Sequence, residues 1–332
     1  MAPRRESAPR RPEARSPRGP QPRPARSGAT KRRAAVRLLA AGLGVAAGVG
    51  LLGLVWPPAD RSLQDDAPTT AAALADPPSR PITVLLIGSD ADRRGAVRNG
   101  AAPPGPANSD ALLLVRIDPK GGLQVLNLPI ELAVSLPGDK KPVALGSLYR
   151  RGGPALVADA AAELVGLPKG QPDRYLVLPR AGLRELVDGL GRVELAPDRT
   201  MRYRDKAQNL TIDIQGGLQL LDGRQLEQVL RYRDGERGEA GRRDRQQTAI
   251  ESVLQQMGQS QQLLRLPELV GRLQNQVDTN LTQSEALSLL AASLQPGQKP
   301  RFRSLPLSAP ADAKQPLREL APEAADRPWP EG

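Results

Sequence analysis

Residues 221–247 read LDGRQLEQVLRYRDGERGEAGRRDRQQ and combine two short helical patterns with an arginine-rich loop. Asp222 and Gly223 predict a turn that opens a helix over about 224–230, and a second helix is expected to start near Arg242. Glycines at 235, 238 and 241 mark the loop between them. The polar residues that give this stretch its character are Arg231, Arg233, Arg237, Arg242, Arg243, Arg245, Gln246 and Gln247.

The arginines around this loop allow two interpretations. Positions 242, 245 and 246 are three and four residues apart, so their side chains share one face of the second helix. Guanidinium groups beside a helix N-terminus favour a phosphate or pyrophosphate, because they form bidentate hydrogen bonds and the helix dipole adds positive potential. The same composition is also typical of a solvated charged loop between two surface helices, so the spacing alone leaves both readings open.

The composition excludes several classes of catalytic site. The chain has 332 residues and contains neither His nor Cys. This rules out Ser-His-Asp and Cys-His catalysis, zinc sites built on those ligands, and disulfides. A metal ion would need oxygen ligands, which favours Mg²⁺, Mn²⁺ or Ca²⁺.

The net charge of +11 belongs to the N-terminal tail. Residues 1–37 carry twelve Lys or Arg and two Glu, a net charge of +10, so the remaining residues carry only +1. Residues 1–33 are rich in Pro and Arg and lack large apolar side chains, which predicts a disordered cytoplasmic tail. Because the folded part is nearly neutral, no nucleic-acid partner is expected.

Residues 34–56 are predicted to form a transmembrane helix. They include nineteen uncharged residues from Leu38 to Trp56, enough to span a bilayer. The basic residues before them place the N-terminus in the cytoplasm and the main domain on the extracytoplasmic, periplasmic side of the plasma membrane. A cleaved signal peptide is the alternative, although its apolar core would be shorter. Residues 57–80 are predicted to be a linker.

The region 81–307 has the pattern of an α/β fold. An apolar run at 81–88 predicts a buried strand, and two more strands are expected at 111–118 and 123–129. Further elements are predicted in chain order: an edge or partner strand over 131–138, a helix over 153–165, a strand over 175–178, a helix over 179–190, short strands over 193–195 and 210–214, helices over 261–275 and from Thr282, and a closing strand over 301–307. This alternation predicts a single α-β-α domain with a central mixed sheet, followed by a flexible Pro-rich tail over 308–332.

Two aspartates stand at strand ends. Asp90 follows the first strand and Asp110 precedes the second. If these strands are antiparallel neighbours, both carboxylates lie at one end of the sheet, where they could hold a Mg²⁺ that also binds phosphate oxygens. Aspartate is also common in turns for purely structural reasons, so the spacing alone leaves that alternative open.

Seven sequence blocks occur in the order found in one known family. They are VLLIGSD (84–90), NSDALLLVRID (108–118), LNLPIELAVSLPG (126–138), LYRRGGPALV (148–157), DRYLVLPRAGLRELVDGLGRVEL (173–195), LQLLDGRQLEQVLRYRD (218–234) and GRRDRQQ (241–247). This ordered set resembles the LytR-CpsA-Psr family of membrane-anchored cell-envelope proteins, and the resemblance covers about residues 81–307. The resemblance implies an α-β-α domain that holds a polyprenyl-pyrophosphate lipid in an apolar tunnel.

The resemblance also implies an activity and a site. The expected activity is a Mg²⁺-dependent phosphotransferase that moves a glycopolymer from a polyprenyl-pyrophosphate carrier to peptidoglycan. The implied pyrophosphate ligands are Arg231, Arg233, Arg242, Arg245 and Gln246; the implied catalytic residues are Arg231, Arg233 and Asp234; and the implied metal ligands are Asp90 and Asp110. The arginines and the metal would neutralise charge on the leaving phosphate.

Three positions depart from the family pattern. Asn108, Ile130 and Ala144 are neutral where the pattern has basic residues, and Glu131 stands in place of an aspartate. Arg93, Arg94 and Arg150 are candidates to replace the lost charges from neighbouring loops. The alternative function is a catalytically degenerate relative that binds lipid-linked glycan or the wall as an envelope scaffold or regulator.

Overall fold

The computed structural model describes residues 70–96, 106–206, 210–235, 237–309 and 317–322. A six-stranded mixed sheet forms the centre of the domain. Its strands are β1 (Ile82–Ser89), β2 (Ser109–Ile117), β3 (Leu123–Asn127), β6 (Arg174–Leu178), β11 (Asp278–Thr279) and β12 (Arg301–Ser304). They lie in the order β11-β6-β1-β2-β3-β12; β1 runs antiparallel to β2 and parallel to β6. The predicted central mixed sheet is confirmed.

The apolar run of β1 is long because both faces of the sheet are covered. Leu85 on β1 and Leu112 and Leu114 on β2 pack on one face against helix α1 (Leu148–Val165). Alternate residues, such as Leu113 on β2, face a second helical layer on the other side. This layer is made by α2 (Arg180–Gly189), α3 (Gly223–Arg231), α4 (Gly238–Met257), α5 (Ser260–Leu263), α6 (Leu266–Leu273) and α7 (Gln283–Ser293).

Three short antiparallel ribbons complete the described part of the fold. They pair β4 (Ala133–Val134) with β5 (Val143–Ala144), β7 (Val193–Leu195) with β10 (Gln219–Leu221), and β8 (Met201–Asp205) with β9 (Leu210–Ile214). Short strands at 193–195 and 210–214 were predicted from the sequence; β8 and β10 were not.

Two predicted elements were wrong in extent. The expected edge strand over 131–138 is reduced to β4, because β12 occupies the edge beside β3 and the backbone of Glu131 and Ala133 instead bonds to Arg318. The helix expected over 153–165 is confirmed: α1 has a helical turn from Leu148 onward, but Gly152 and Gly153 are not helical (Gly153 has a φ of 64°), so the stretch that follows this kink up to Val165 is the predicted helix. The helix expected over 261–275 is divided into α5 and α6.

Segments predicted as linker and tail contribute to the domain. Leu74, at the end of a 3₁₀ turn over Ala71–Ala73, is fully buried in a cluster with Leu190 and Leu266. Residues 317–322 return to the domain through bridges from Arg318 to Leu132 and from Leu320 to Leu307. The predicted transmembrane helix over 34–56 and the tail over 1–33 lie outside the described residues. Within the residues that are described, no helix has the length and apolar character needed to cross a bilayer.

Candidate functional site

A cavity of about 440 Å³ lies between the sheet and the second helical layer. Its floor is formed by alternate residues of the two central strands, from Ala111 to Ile117 on β2 and from Val84 to Gly88 on β1. At about 3.3 Å per residue, the β2 wall is roughly 20 Å long. Helices α4 and α7 form much of the roof with Ile250, Val253 and Leu289 among others, so most of the lining is apolar.

The charged residues of the cavity wall gather at one end. They are Asp110, Arg180, Glu227 and Arg231. The opposite end is lined by apolar residues that include Ile117 and Leu123. An elongated apolar space with one charged end matches an amphiphile that has a long hydrocarbon chain and an ionic head.

The sheet brings the two predicted metal-ligand aspartates to this end. Ser89 pairs with Ser109 across β1 and β2, so the neighbouring Asp90 and Asp110 stand at the same sheet edge. Asp90 Oδ1 accepts a hydrogen bond of 2.8 Å from the Asn108 backbone N–H, and Asp110 Oδ1 lies 3.2 Å from Arg242 Nη1. Within the described ranges, no cluster of three or more carboxylates is arranged to hold a metal ion. A metal here would therefore depend on a pair of carboxylates and on ligand oxygens.

A tyrosine and a serine lie beside Asp90. The pKa of the Tyr149 hydroxyl is raised, chiefly by burial and then by the negative charge of Asp278, while a hydrogen bond with Ser89 acts in the opposite direction. The hydroxyl of Tyr149 therefore remains protonated at neutral pH and can act as a hydrogen-bond donor near the carboxylate pair.

Arg231 enters the site from the last turn of α3. The helix is capped at its N-terminus by Asp222, whose side chain accepts a hydrogen bond of 2.8 Å from the Gln225 backbone N–H in a reciprocal capping box, as the Asp222–Gly223 turn predicted. Arg231 Nη1 lies 3.5 Å from Glu227 Oε1, one turn earlier. Burial and the nearby charge of Arg180 lower the pKa of Arg231, although an arginine stays protonated at physiological pH.

The second helix begins earlier than predicted. α4 starts at Gly238, four residues before Arg242, because the turn that leads into it is closed by Asp234, whose carboxylate accepts a hydrogen bond from the Arg237 backbone N–H. Gly241 permits this close approach: a Cβ at this position would lie 2.9 Å from Asp234 Oδ2.

The predicted face of α4 divides into two parts. Arg242 and Gln246 both reach β2: Arg242 pairs with Asp110, and Gln246 Nε2 donates a hydrogen bond of 3.2 Å to the Asp110 carbonyl. Arg245 turns away, lies 3.3 Å from Asp234, and stacks with its guanidinium carbon 5.3 Å from the centre of the Tyr232 ring. Three and four residues of spacing are compatible with a shared face, but the acceptors around each side chain decide where it points.

Two further predicted site residues lie outside the cavity wall. Arg233 is exposed and its Nε lies 3.1 Å from Glu239. Asp234 is buried; the Arg237 backbone N–H and then the Arg245 guanidinium lower the pKa of its carboxyl. Asp234 therefore stays ionised and holds the loop and Arg245 in place, which makes it a positioning residue in this structure.

The fold and the order of the motifs agree with one family. The model of the LytR_cpsA_psr family matches residues 59–311. This chain belongs to the LytR_cpsA_psr family. The regulatory protein MsrR from Staphylococcus aureus strain COL is 24% identical over 206 residues, which cover 61% of this chain and 57% of MsrR.

A second relative of this LytR_cpsA_psr protein is the polyisoprenyl-teichoic acid–peptidoglycan teichoic acid transferase TagU from Enterococcus faecalis. It is 26% identical over 204 residues, which cover 61% of this chain and 62% of TagU. The chain therefore spans less than two thirds of the length of these relatives.

Two solved structures share its fold. Bacillus subtilis TagV superimposes with a TM-score of 0.60 at 20% identity, over 74% of this chain and 93% of that chain. The LytR-Csp2A-Psr enzyme from Actinomyces oris gives a TM-score of 0.58 at 20% identity, over 74% and 87% of the two chains. At this identity the likeness concerns the fold.

One of the positions that depart from the family pattern makes an apolar contact. Ile130 lies against Gly146, where an added Cβ would stand 2.9 Å from the Ile130 Cβ. Glu131 is held by Arg243 at 2.5 Å. The proposed replacements Arg93, Arg94 and Arg150 are exposed and do not line the cavity; Arg94 Nη1 instead donates to the Gln274 carbonyl at 3.3 Å. Their expected role is not supported, because the loop that carries Arg93 and Arg94 and the first turn of α1, which carries Arg150, leave these residues exposed to solvent.

Sequence reasoning missed Arg180 and Glu227. Arg180 is the first residue of α2 and follows β6, which lies parallel to β1 with Leu178 opposite Gly88. Adjacent parallel strands end at the same sheet edge, so a residue just after β6 falls near Asp90. That pairing was the available signal. No such signal was available for Glu227, because its position depends on the close packing of α2 against α3.

Proposed function

We propose that this protein transfers a glycopolymer from a polyprenyl-pyrophosphate carrier to peptidoglycan. The observation that carries the proposal is the apolar cavity with arginine and carboxylate groups at one end. A polyprenyl chain fits the roughly 20 Å of apolar wall, and its pyrophosphate would then lie beside Arg231 and Asp110. The names of two relatives of this chain, TagU from Enterococcus faecalis and TagV from Bacillus subtilis, both teichoic acid transferases, support the same reaction class.

The proposed reaction is a substitution at phosphorus. A hydroxyl oxygen of peptidoglycan bonds to the phosphorus that carries the glycan, and the bond from that phosphorus to the bridging oxygen breaks. Polyprenyl monophosphate leaves with the bond electrons, and the hydroxyl proton passes to water. Arg231 is placed to stabilise charge on the leaving phosphate, while Arg242 and Gln246 keep Asp110 in position.

We also propose a Mg²⁺ ion held by Asp90 and Asp110. Two carboxylates at one sheet edge fit this ion, which commonly takes one or two protein carboxylates and completes its shell with phosphate oxygens and water. When bound, it would neutralise charge on the pyrophosphate. Residues 34–56 are proposed as the anchor that leaves the domain on the extracytoplasmic side.

The metal proposal predicts a selective effect of Asp110→Asn. We expect the Mg²⁺ concentration for half-maximal binding of a lipid pyrophosphate to rise roughly tenfold or more, because a ligand carboxylate is lost. Titration calorimetry with Mg²⁺ in the presence of geranylgeranyl pyrophosphate measures this. Asp118→Asn, beyond the other end of β2, is the control and should not change it. An unchanged Mg²⁺ requirement in Asp110→Asn would remove this residue from the metal site.

The transfer proposal is tested by obstructing the cavity. Val115 lies in the middle of its floor, so Val115→Trp should displace part of the lipid chain. Excluding only two methylene groups costs about 1.6 kcal/mol, roughly a 15-fold loss of affinity. The full chain in detergent is mixed with Mg²⁺, a polyprenyl-pyrophosphate glycan and peptidoglycan, and mass spectrometry follows the release of lipid monophosphate.

The control for the obstructed cavity is Leu220→Trp. Leu220 is exposed on β10 and does not line the cavity, so this variant should transfer as wild type does. Equal transfer by Val115→Trp and wild type would contradict the proposed lipid site.

A non-catalytic scaffold is the second candidate function. The neutral contact between Ile130 and Gly146 favours it, because a cation is absent at a position where the family pattern has one. Wild-type protein that binds the lipid pyrophosphate tightly and releases no monophosphate would establish this function in place of transfer.

A further inference from the structure

The charged end of the cavity contains a side-chain cluster that neither the motifs nor the family match assigns. Glu227 is 4% exposed and its two carboxylate oxygens meet three arginines. Arg180 Nε lies 2.6 Å from Oε1, Arg231 Nη1 lies 3.5 Å from the same oxygen, and Arg184 bonds to Oε2. One buried carboxylate therefore gathers three guanidinium groups.

The backbone explains why these groups meet. Gly223, the first residue of α3, lies against the backbone of α2: an added Cβ would stand 2.5 Å from the Arg184 Cα. The Gly223 N–H also donates a hydrogen bond of 2.7 Å to Asp188 Oδ1. This close approach brings Glu227, one turn further along α3, against the arginines at the start of α2.

Arg180 differs from Arg184 in its access to the cavity. Both pair with Glu227, but only Arg180 lines the cavity wall. Arg180 and Arg231 share the acceptor atom Glu227 Oε1, so their bonded nitrogens lie within about 6 Å of each other, a spacing that the oxygens of one diphosphate can bridge. Arg180 also pairs with Asp92 through Nη1.

We infer that Arg180 is a diphosphate-binding residue that acts with Arg231 and supplies, from the α2 side, positive charge that Asn108 and Ile130 do not. This inference rests on the proposed lipid-pyrophosphate site and deepens it. Glu227 and Asp92 orient the Arg180 guanidinium before the ligand arrives. A guanidinium that is already oriented loses little conformational entropy when it binds the ligand. The ligand is a diphosphate ester with a long apolar chain.

The test is the affinity of the full chain, in detergent, for three probes of equal chain length: geranylgeranyl pyrophosphate, geranylgeranyl monophosphate and geranylgeraniol. For Arg180→Gln we expect affinity for the pyrophosphate to fall tenfold or more, since a charge-assisted contact to phosphate is lost. Affinity for the monophosphate should fall less, and affinity for the uncharged alcohol should stay the same. Arg180→Lys should recover part of the lost pyrophosphate affinity, because it keeps the positive charge but not the bidentate hydrogen-bonding geometry of the guanidinium.

The matched control is Arg184→Gln, which removes a partner of the same Glu227 from outside the cavity. It should leave all three affinities within about twofold of wild type. Equal losses in Arg180→Gln and Arg184→Gln, or a wild-type pyrophosphate affinity in Arg180→Gln, would overturn the inference while the lipid site stands. Failure of the wild-type protein to bind any of the probes would overturn the proposed function, and the inference with it.

Discussion

Arg231→Gln is expected to lower the rate of glycopolymer transfer about 100- to 1000-fold, the effect of removing one donor that stabilises charge in a transition state. The guanidinium of Arg231 lines the charged end of the cavity near Arg180, Glu227 and Asp110, and the Arg231 side chain is only 17% exposed. In such a site an N–H donor contributes more than it does in water, because little solvent competes for the phosphate oxygens. The measured quantity is kcat for release of lipid monophosphate.

Arg237, an arginine on the loop that follows Arg231, provides the control. Arg237 is exposed, pairs with Asp244 and lies outside the cavity wall, so Arg237→Gln should transfer at the wild-type rate. Its backbone N–H, which bonds to Asp234, is unaffected by the substitution. A loss in both variants would indicate a general electrostatic effect, and a loss in neither would remove Arg231 from the reaction.

Glu227→Gln is expected to lower the free energy of unfolding by about 3 kcal/mol, the lower part of the range for breaking a buried ion pair. The substitution keeps the size of the side chain and leaves Arg180, Arg184 and Arg231 close together without their shared counter-charge. Partial exposure of the arginines, from 17% to 34%, lets solvent reduce this cost. Urea unfolding of the full chain, followed by far-ultraviolet circular dichroism, measures the change.

An exposed ion pair serves as the control for the effect of burial on the free energy of unfolding. Glu185 lies 3.1 Å from Arg272, and both side chains are more than one third exposed. Glu185→Gln should change the free energy of unfolding by no more than about 1 kcal/mol, as is usual for surface pairs. Similar values for Glu227→Gln and Glu185→Gln would show that the buried carboxylate does not organise the arginines.

The central strands could be predicted because their residues carry a local signal. The apolar runs at 81–88 and 111–118 differ from β1 and β2 by at most two residues at either end. The capping residues Asp222 and Thr282 marked two helix starts correctly, since a cap bonds to residues only three positions away. The start of α4 was missed because it depends on Asp234, which lies before a run of glycines with no helical pattern.

The prediction that Asp90 and Asp110 lie together required β1 and β2 to be antiparallel neighbours, and the structure has this pairing. It places Asp90 and Asp110 at one edge, as the pattern allowed. The strand predicted over 131–138, by contrast, was wrong because of a distant part of the chain. Its composition suits a strand, but the edge beside β3 is occupied by β12, almost 180 residues later in the chain, and no local pattern contains that competition.

The sequence by itself determined the fold class, the family, the absence of His and Cys chemistry, and the position of the arginine-rich stretch, because composition, periodicity and motif order are properties of the chain. Only the tertiary structure decided which arginines face the cavity. Arg233 and Arg245 turn to Glu239 and Asp234, while Arg180, about fifty residues before Arg231, joins it at Glu227. The reason is physical: a long charged side chain takes an acceptor within its reach, and helix packing sets where that acceptor lies.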